Sequence, residues 1–246
     1  MAAESVIGVI PARFGSSRLP GKALAPIGGV PMIVRVWRQA SKASALARVI
    51  VATDDERIAR PVREAGGEVE MTSSAHPSGT DRIAEVAGRA RADIYLNVQG
   101  DLPFIAPADL DALAAPMRAD AGLAMATLAT PIVSLEEWHN PAVVKVVCDC
   151  RGDALYFSRS PIPHWRDGAG VPPVALRHIG VYGYRRDFLL RFASLEPGVL
   201  EGLERLEQLR AMEHGYRIRV VPSVAPSLEV DTPADLARAN AAAAGD

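Results

Sequence analysis

The 246-residue chain is 49% hydrophobic, 23% charged and 5% aromatic, a composition that excludes disordered and fibrous classes. Its 27 Lys and Arg against 29 Asp and Glu leave a formal net charge of −2, which offers no electrostatic footprint for nucleic acid or an anionic membrane. No apolar run approaches the roughly 20 residues that span a bilayer, and the N-terminus MAAESVIGVIPAR lacks the basic region and cleavage site of a signal peptide, so a cytoplasmic location and small-molecule partners are expected.

Residues 6–10 read as a buried strand running into the Gly/Ser/Pro-rich stretch PARFGSSRLPGK. Pro31 is placed for the first position of a helix that carries Ile33, Val36, Trp37 and Ala40 at helical spacing. Residues 49–52 form a second strand ending in Thr53, Asp54 and Asp55, and the helix after it meets Pro61, which is expected to kink or restart it. Residues 68–71 make a third strand, and Ser78 or Thr80 is placed to cap a helix with Ile83, Val86, Ala87 and Ala90 on one face. Residues 94–98 are a fourth strand, followed by QGDLP and a helix after Pro107; residues 123–128 are a fifth. Strands alternating with helices at this spacing imply βαβ units and a parallel sheet.

The pattern changes after about residue 134. VVKVVCDC and ALYFSRS flank a turn at Arg151 and Gly152 and read as a hairpin, with HIGVYGYR as a further strand. The stripe Leu203, Leu206, Leu209 and Met212 marks one helix, residues 218–221 a strand, and Thr232-Pro233 opens the last helix with Asp235 supporting its start. The expected architecture is α/β: a mostly parallel central sheet with helices on both faces, in one domain over 1–246, with a smaller β-rich inserted subregion at about 134–190. Cys148 and Cys150, one residue apart, are too close for a useful disulfide and too few for a zinc site, so they are expected to be small core residues in a reducing compartment.

Strand-loop-helix order places PARFGSSRLPGK at the carboxyl edge of the sheet, where α/β proteins bind ligands. Arg13, Arg18 and Lys22 supply cations there, while Gly15, Ser16 and Ser17 let backbone N–H groups approach, the combination that a polyphosphate needs. Ala23 after Gly21-Lys22 departs from a Walker A loop, and no GxGxxG follows the strand. NVQGD places Asp101 just past a buried strand, and EVDTP places Asp231 just before a helix. Thr232 is the better cap for a helix beginning at Pro233, which leaves Asp231 free to point elsewhere. Two carboxylates beside a basic loop suit a Mg²⁺ ion bridging nucleotide phosphates. The Asp54-Asp55 pair competes for that role, with helix capping as its alternative. A third loop, MTSSAHPSGTDR, offers His76, Ser78, Thr80 and Arg82 around Gly79, a polar set able to read the edge of a base, although His76 alone would be an ordinary surface histidine.

IPARFGSSRLPGK, IGGVPMI, VATDDERI, HPSGTDRIAEV, NVQGD, ALYFSRSPIP, HIGVYGYR, LEQLRAMEHG and VDTPADL follow one another over residues 7 to 236, and in that order the chain resembles the 3-deoxy-manno-octulosonate cytidylyltransferases, or CMP-Kdo synthetases. Departures are small: Leu102 stands where the family often has an acidic residue, Val30 replaces a common Lys, and Pro61 is unusual. The resemblance implies a Rossmann-like nucleotidyltransferase fold and a CTP- and Mg²⁺-dependent transfer of CMP to the anomeric hydroxyl of Kdo, releasing pyrophosphate, for lipopolysaccharide assembly. It puts Arg13 and Lys22 on the triphosphate, Ser16 among the nucleotide-binding residues, Ser78 and Arg82 around cytosine, Gln99 near the reacting centre, and Asp101 and Asp231 on the metal. Arg159, His178, Tyr182, Glu207 and Gln208 would line the sugar-acid pocket. It also implies a homodimer, with the β-rich insertion as the place to look for the interface. CMP transfer to 8-amino-Kdo or a sialic acid is the nearest alternative; a non-catalytic nucleotide-binding protein is the more distant one.

Overall fold

Seven consecutive residues without polar alternation make β1 (Val6–Ala12) a strand buried on both faces, as the centre of a parallel sheet requires. The computed structural model describes residues 4–16, 18–225 and 228–244, so Ser17 of the basic loop lies outside the described residues. After β1 come a single 3₁₀ turn at Lys22–Leu24, the two-residue strands β2 (Pro26–Ile27) and β3 (Val30–Pro31), then α1 (Met32–Ala40), β4 (Arg48–Thr53), α2 (Glu56–Glu64), β5 (Glu68–Met71), α3 (Gly79–Arg89), β6 (Ile94–Asn97), α4 (Pro107–Ala119) and β7 (Met125–Pro131). The second half adds α5 (Leu135–His139), β8 (Lys145–Cys148), β9 (Ala154–Ser158), β10 (Leu176–Arg185), α6 (Arg186–Phe192), α7 (Val199–Glu204), α8 (Gln208–Glu213), β11 (Ile218–Pro222) and α9 (Pro233–Ala243).

The central sheet runs β11-β7-β10-β6-β1-β4-β5. β6, β1, β4 and β5 are mutually parallel, as are β7 and β11, while β10 lies antiparallel between β6 and β7. The hairpin β8–β9 hangs from β10 through Leu176 and Arg177. Within the β-rich span, therefore, β8 and β9 project away while β10 returns to the middle of the sheet. One apolar core joins the sheet to Ile33 and Val36 of α1, Ile58 and Val62 of α2, Leu110 and Leu113 of α4 and Ala239 of α9. The other face buries Ile83 and Val86 of α3, Phe188 and Phe192 of α6 and Leu209 of α8. Helices thus cover both faces. Asn240 of α9 accepts from the Gly28 N–H at 3.0 Å and donates to the Pro26 carbonyl at 3.1 Å, fastening the last helix to the β2–β3 ribbon. Among the described residues, no helix is long and apolar enough to cross a membrane.

Four local expectations are corrected. Pro31 is the N-cap of α1 rather than its first residue. Pro61 neither breaks nor restarts α2, which runs unbroken through it. The Asp55 side chain fixes the start of that helix, and buried Ile58, Ala59 and Val62 hold it to the core on either side of the missing N–H. The stripe from Leu203 to Met212 is not one helix: α7 ends at Arg205, whose φ of 55° is left-handed, and α8 begins afresh at Gln208. Leu203 is 76% exposed, so only Leu206 and Leu209 of the stripe are core. Finally, Cys150 is exposed and Cys148 half-buried, because the hairpin turn carries them off the sheet.

Candidate active site

The loop after β1, the loop after β6 and the segment entering α9 converge at the carboxyl edge of the sheet. A main-chain bond from Val230 N–H to the Asp101 carbonyl, 3.0 Å, stitches the latter two together. Gly100 sits so close that an added Cβ would lie 3.3 Å from the Pro11 carbonyl, which brings the Asp101 loop against the end of β1. Gly21, at φ 67°, turns the basic loop back so that Lys22 faces this junction. Thr232 caps α9 in a reciprocal box with Asp235, as its sequence predicts, and Asp231 points away from the helix.

The Lys22 ammonium lies 2.6 Å from Asp101 and 2.9 Å from Asp231, and Arg18 reaches the other Asp231 oxygen at 2.9 Å. Burial works against the Lys22 charge, but the Asp101 carboxylate outweighs it and holds the ammonium above its usual pKa. Burial likewise opposes ionisation of Asp231, and the Lys22 hydrogen bond overcomes it, leaving that carboxyl below its usual value. Glu229 joins them: one oxygen each of Asp101, Glu229 and Asp231 fall within 4.8 Å of one another. Packing around the Glu229 carboxyl, then the like charges of Asp101 and Asp231, push its pKa up, although the residue keeps an exposed edge. Three hard oxygen donors at this spacing fit a divalent cation such as Mg²⁺. Sequence reading overlooks Glu229, yet the signal stands in EVDTP: two positions apart on an extended segment, Glu229 and Asp231 share a side.

These groups line a cavity of ≈ 370 Å³ that also receives Arg13, Ser16, Ser78, Arg82 and Gln99, so the predicted triphosphate, base and metal residues share one wall-to-wall space. His76 lies there too, with Nε2 2.5 Å from Glu85. Ser78 caps α3 in a reciprocal box: its hydroxyl and its N–H both engage Asp81, and its carbonyl accepts from the Arg82 N–H at 3.4 Å. Arg82 is only 5% exposed, hydrogen-bonded to Thr72 and paired with Asp54 at 3.3 Å. With Asp54 serving Arg82 and Asp55 capping α2, the competing acidic pair is accounted for.

Of the remaining predicted residues, His178, Tyr182, Glu207 and Gln208 lie on the α3 side of the sheet, where only Glu207 lines a cavity, and Arg159 lines neither cavity. Tyr182 stands opposite Asn97 in the sheet, and its ring meets that of His178 at 5.3 Å. Burial pulls the His178 imidazole down to about 3, so it is neutral, 2.9 Å from the Thr127 hydroxyl. Burial raises the Tyr182 phenol, and the Glu207 charge adds to that. Glu207 accepts a hydrogen bond from Thr80 at 2.6 Å and lines a second cavity of ≈ 500 Å³ with Arg205, Leu206 and Arg210; the two cavities meet at Ser78. Gln208 is not on a solvated face: it is 3% exposed, and its Nε2 has no hydrogen-bond partner among the described residues. Arg159 spends its guanidinium on the carbonyls of Pro141, Glu204 and Arg205 at 3.0, 2.7 and 3.4 Å.

Residues 7–218 match the family described as cytidylyltransferase. The chain is 54% identical over 240 residues to a 3-deoxy-manno-octulosonate cytidylyltransferase of Geobacter metallireducens, covering 94% of each, and 53% identical over 244 residues to one of Syntrophotalea carbinolica, covering 96% of this chain and 98% of that one. Among solved structures, a CMP:2-keto-3-deoxy-manno-octonic acid synthetase complexed with CTP superposes with TM-score 0.92 at 47% identity, covering 98% of this chain and 99% of that one. The fold alone extends further, to a 4-diphosphocytidyl-2C-methyl-D-erythritol synthase of Anaerococcus prevotii at TM-score 0.65 and 14% identity. With the family model matched over residues 7–218 and more than half of the aligned residues identical to those of the Geobacter metallireducens and Syntrophotalea carbinolica enzymes, the chain belongs to the 3-deoxy-manno-octulosonate cytidylyltransferase family.

Proposed function

We propose that the protein transfers CMP from CTP to the anomeric hydroxyl of 3-deoxy-D-manno-octulosonate, giving CMP-Kdo and pyrophosphate for lipopolysaccharide assembly in the cytoplasm. The observation that carries this reading is the contact of Lys22 with both Asp101 and Asp231 across one cavity, since it brings phosphate-binding cations and metal-binding carboxylates to a single point. The new bond joins the sugar oxygen to the α-phosphorus as the hydroxyl gives up its proton to solvent; the bond from that phosphorus to the bridging oxygen breaks, and its electron pair leaves with pyrophosphate. Such a displacement needs in-line positioning and neutralisation of charge rather than a protein nucleophile.

In this reading Arg13, Ser16 and Lys22 hold the triphosphate, and Arg82 with the main chain around Ser78 encloses cytosine. Gln99, steadied by its bond to Asn97 at 3.1 Å, faces the reacting centre. Asp101 and Asp231, with Glu229 beside them, hold Mg²⁺. When bound, the ion withdraws charge from the phosphoryl oxygens and lowers the pKa of the attacking hydroxyl. His178, Tyr182, Glu207 and Gln208 bind the sugar acid, whose hydroxyls suit the neutral imidazole and the polar row beside it, while Arg159 faces its carboxylate with the N–H groups not engaged by carbonyls. The junction of the two cavities at Ser78 supports two substrates lying side by side. A homodimer is supported by the apolar side chains left open around the insertion, Val133 at 86%, Leu135 at 51% and Val174 at 65% exposed.

Pyrophosphate release tests the reading. It is expected only when CTP, Mg²⁺ and Kdo are present together, with UTP and ATP as poor replacements. Efficient turnover of a sialic acid or 8-amino-Kdo in place of Kdo would reassign the acceptor, and turnover without a divalent cation would remove the metal.

A further inference from the structure

Away from both cavities, the hairpin strand β8 buries a charge completely: Lys145 has 0% exposure. Its ammonium makes no ion pair within hydrogen-bond distance among the described residues; it donates instead to three main-chain carbonyls, Asn140 at 2.9 Å, Val143 at 2.8 Å and Arg159 at 2.7 Å. An apolar side chain of similar length would fill the position without desolvating a cation, so what the lysine contributes is three directed donors. We propose that Lys145 is a positioning residue for the sugar-acid half of the site, holding the Arg159 segment and, through it, the corner that carries Glu207 and Gln208. The inference rests on the function proposed above.

The chain of contacts is continuous. Lys145 and the Arg159 guanidinium grip the same turn, the first at Asn140 and Val143, the second at Pro141. Arg159 then spans to the α7–α8 corner, donating to the carbonyls of Glu204 and Arg205. The Glu204 carboxylate closes the loop by accepting from the Ser158 hydroxyl at 2.5 Å and the Arg159 N–H at 2.9 Å, and its charge counters part of the burial and Arg159 repulsion that lower the Lys145 pKa. The corner itself is strained: Arg205 is the one non-glycine residue with positive φ among the described residues, and such a conformation persists only where its surroundings enforce it. Two residues on, Glu207 is tied to Thr80 in the first turn of α3. The corner is therefore held between the Lys145–Arg159–Glu204 network and the N-terminus of α3. Slackening the network displaces Glu207 and Gln208. The nucleotide cavity is built on β1, β6, the entry to α9 and the start of α3, and the network reaches only the last of these, through the single Glu207–Thr80 bond.

The test is a split between the two substrates. Lys145→Met is expected to raise the KM for Kdo by roughly tenfold or more, while the dissociation constant for CTP, measured by calorimetry, stays within about twofold of wild type. Glu204→Gln, which keeps the shape of the acceptor, is expected to raise the KM for Kdo likewise while leaving the CTP dissociation constant within about twofold of wild type, and the double variant to cost less than the product of the single changes. If Lys145→Met does not fold, Glu204→Gln carries the same measurement. A Kdo KM unchanged in folded variants of lowered melting temperature overturns the proposal, because it leaves Lys145 a purely structural role; so does a parallel loss of CTP affinity. Failure of the wild type itself to turn over CTP with Kdo is a separate result and overturns the function instead.

Discussion

Lys22 and Asp101 are joined by a 2.6 Å hydrogen bond, with Asp231 on the other side of the same ammonium at 2.9 Å. In the nucleotide-free protein the lysine thus serves as the counter-ion of the carboxylate cluster, at the point where a divalent cation and a triphosphate would also meet. Lys22→Met removes that internal cation. Turnover is expected to fall roughly 10²- to 10³-fold for want of a charge on the phosphates. Manganese binding to the nucleotide-free variant, followed by electron paramagnetic resonance, is expected to tighten about tenfold, or roughly 1.4 kcal/mol. Unchanged or weaker binding would show that the lysine does not compete for the site.

Asp101→Asn and Asp231→Asn keep the size of each side chain and remove its charge. Each is expected to lower kcat/KM by at least about 100-fold, roughly 2.7 kcal/mol of transition-state stabilisation, with far-ultraviolet circular dichroism unchanged. Wild-type turnover in either variant would displace it from the metal.

The half-buried, neutral His178 makes stability depend on pH. In the unfolded chain the imidazole takes up a proton near pH 6.5, whereas burial in the folded chain delays this until about pH 3. Between those values the unfolded state binds more protons, so stability is full above about pH 6.5 and declines as pH falls through the window. Urea unfolding at pH 7 and pH 5.5 is expected to show about 1 kcal/mol less of this decline in His178→Gln than in wild type. Identical pH dependence in the two proteins would contradict the neutral assignment.

Thr232 closes the capping box of α9 and holds the segment from which Asp231 projects. Thr232→Ala is expected to cost about 1 kcal/mol, lowering the melting temperature by roughly 2–4 °C. A melting temperature equal to wild type would mean that solvent replaces the cap without loss.

Val133 and Val174, exposed around the insertion, are expected to be covered in a homodimer. Light scattering should give twice the 26.2 kDa chain mass for wild type and the single-chain mass for the double variant Val133→Asp/Val174→Asp. A monomeric wild type would remove the dimer.

The site was more legible in the sequence than the path that the chain takes to reach it. Asp231 could be separated from its neighbour because capping chemistry is local: Thr232 and Asp235 satisfy the helix start, so the preceding carboxylate is spare. Loops at strand ends were found for the same reason, since β1, β4 and β6 announce themselves as short apolar runs. What was hidden depends on distant partners. Pro61 is tolerated through anchoring on the core. The break at Arg205 carries a carbonyl contact to Arg159, 46 positions away in the chain. β10 reads simply as a strand; that it runs antiparallel in the heart of a parallel set is a matter of where the hairpin delivers it. Glu229 could have been found by asking which residue shares a face with Asp231 on an extended segment.

The Val230–Asp101 bond and the Asn240 clasp on the β2–β3 ribbon give the chain an order of assembly. During synthesis every strand of the sheet, β11 included, leaves the ribosome before Glu229 and Asp231 do. If the proposed function holds, the carboxylates that complete the site are thus the last of its parts to be made, and the site would close only once α9 has docked on the ribbon.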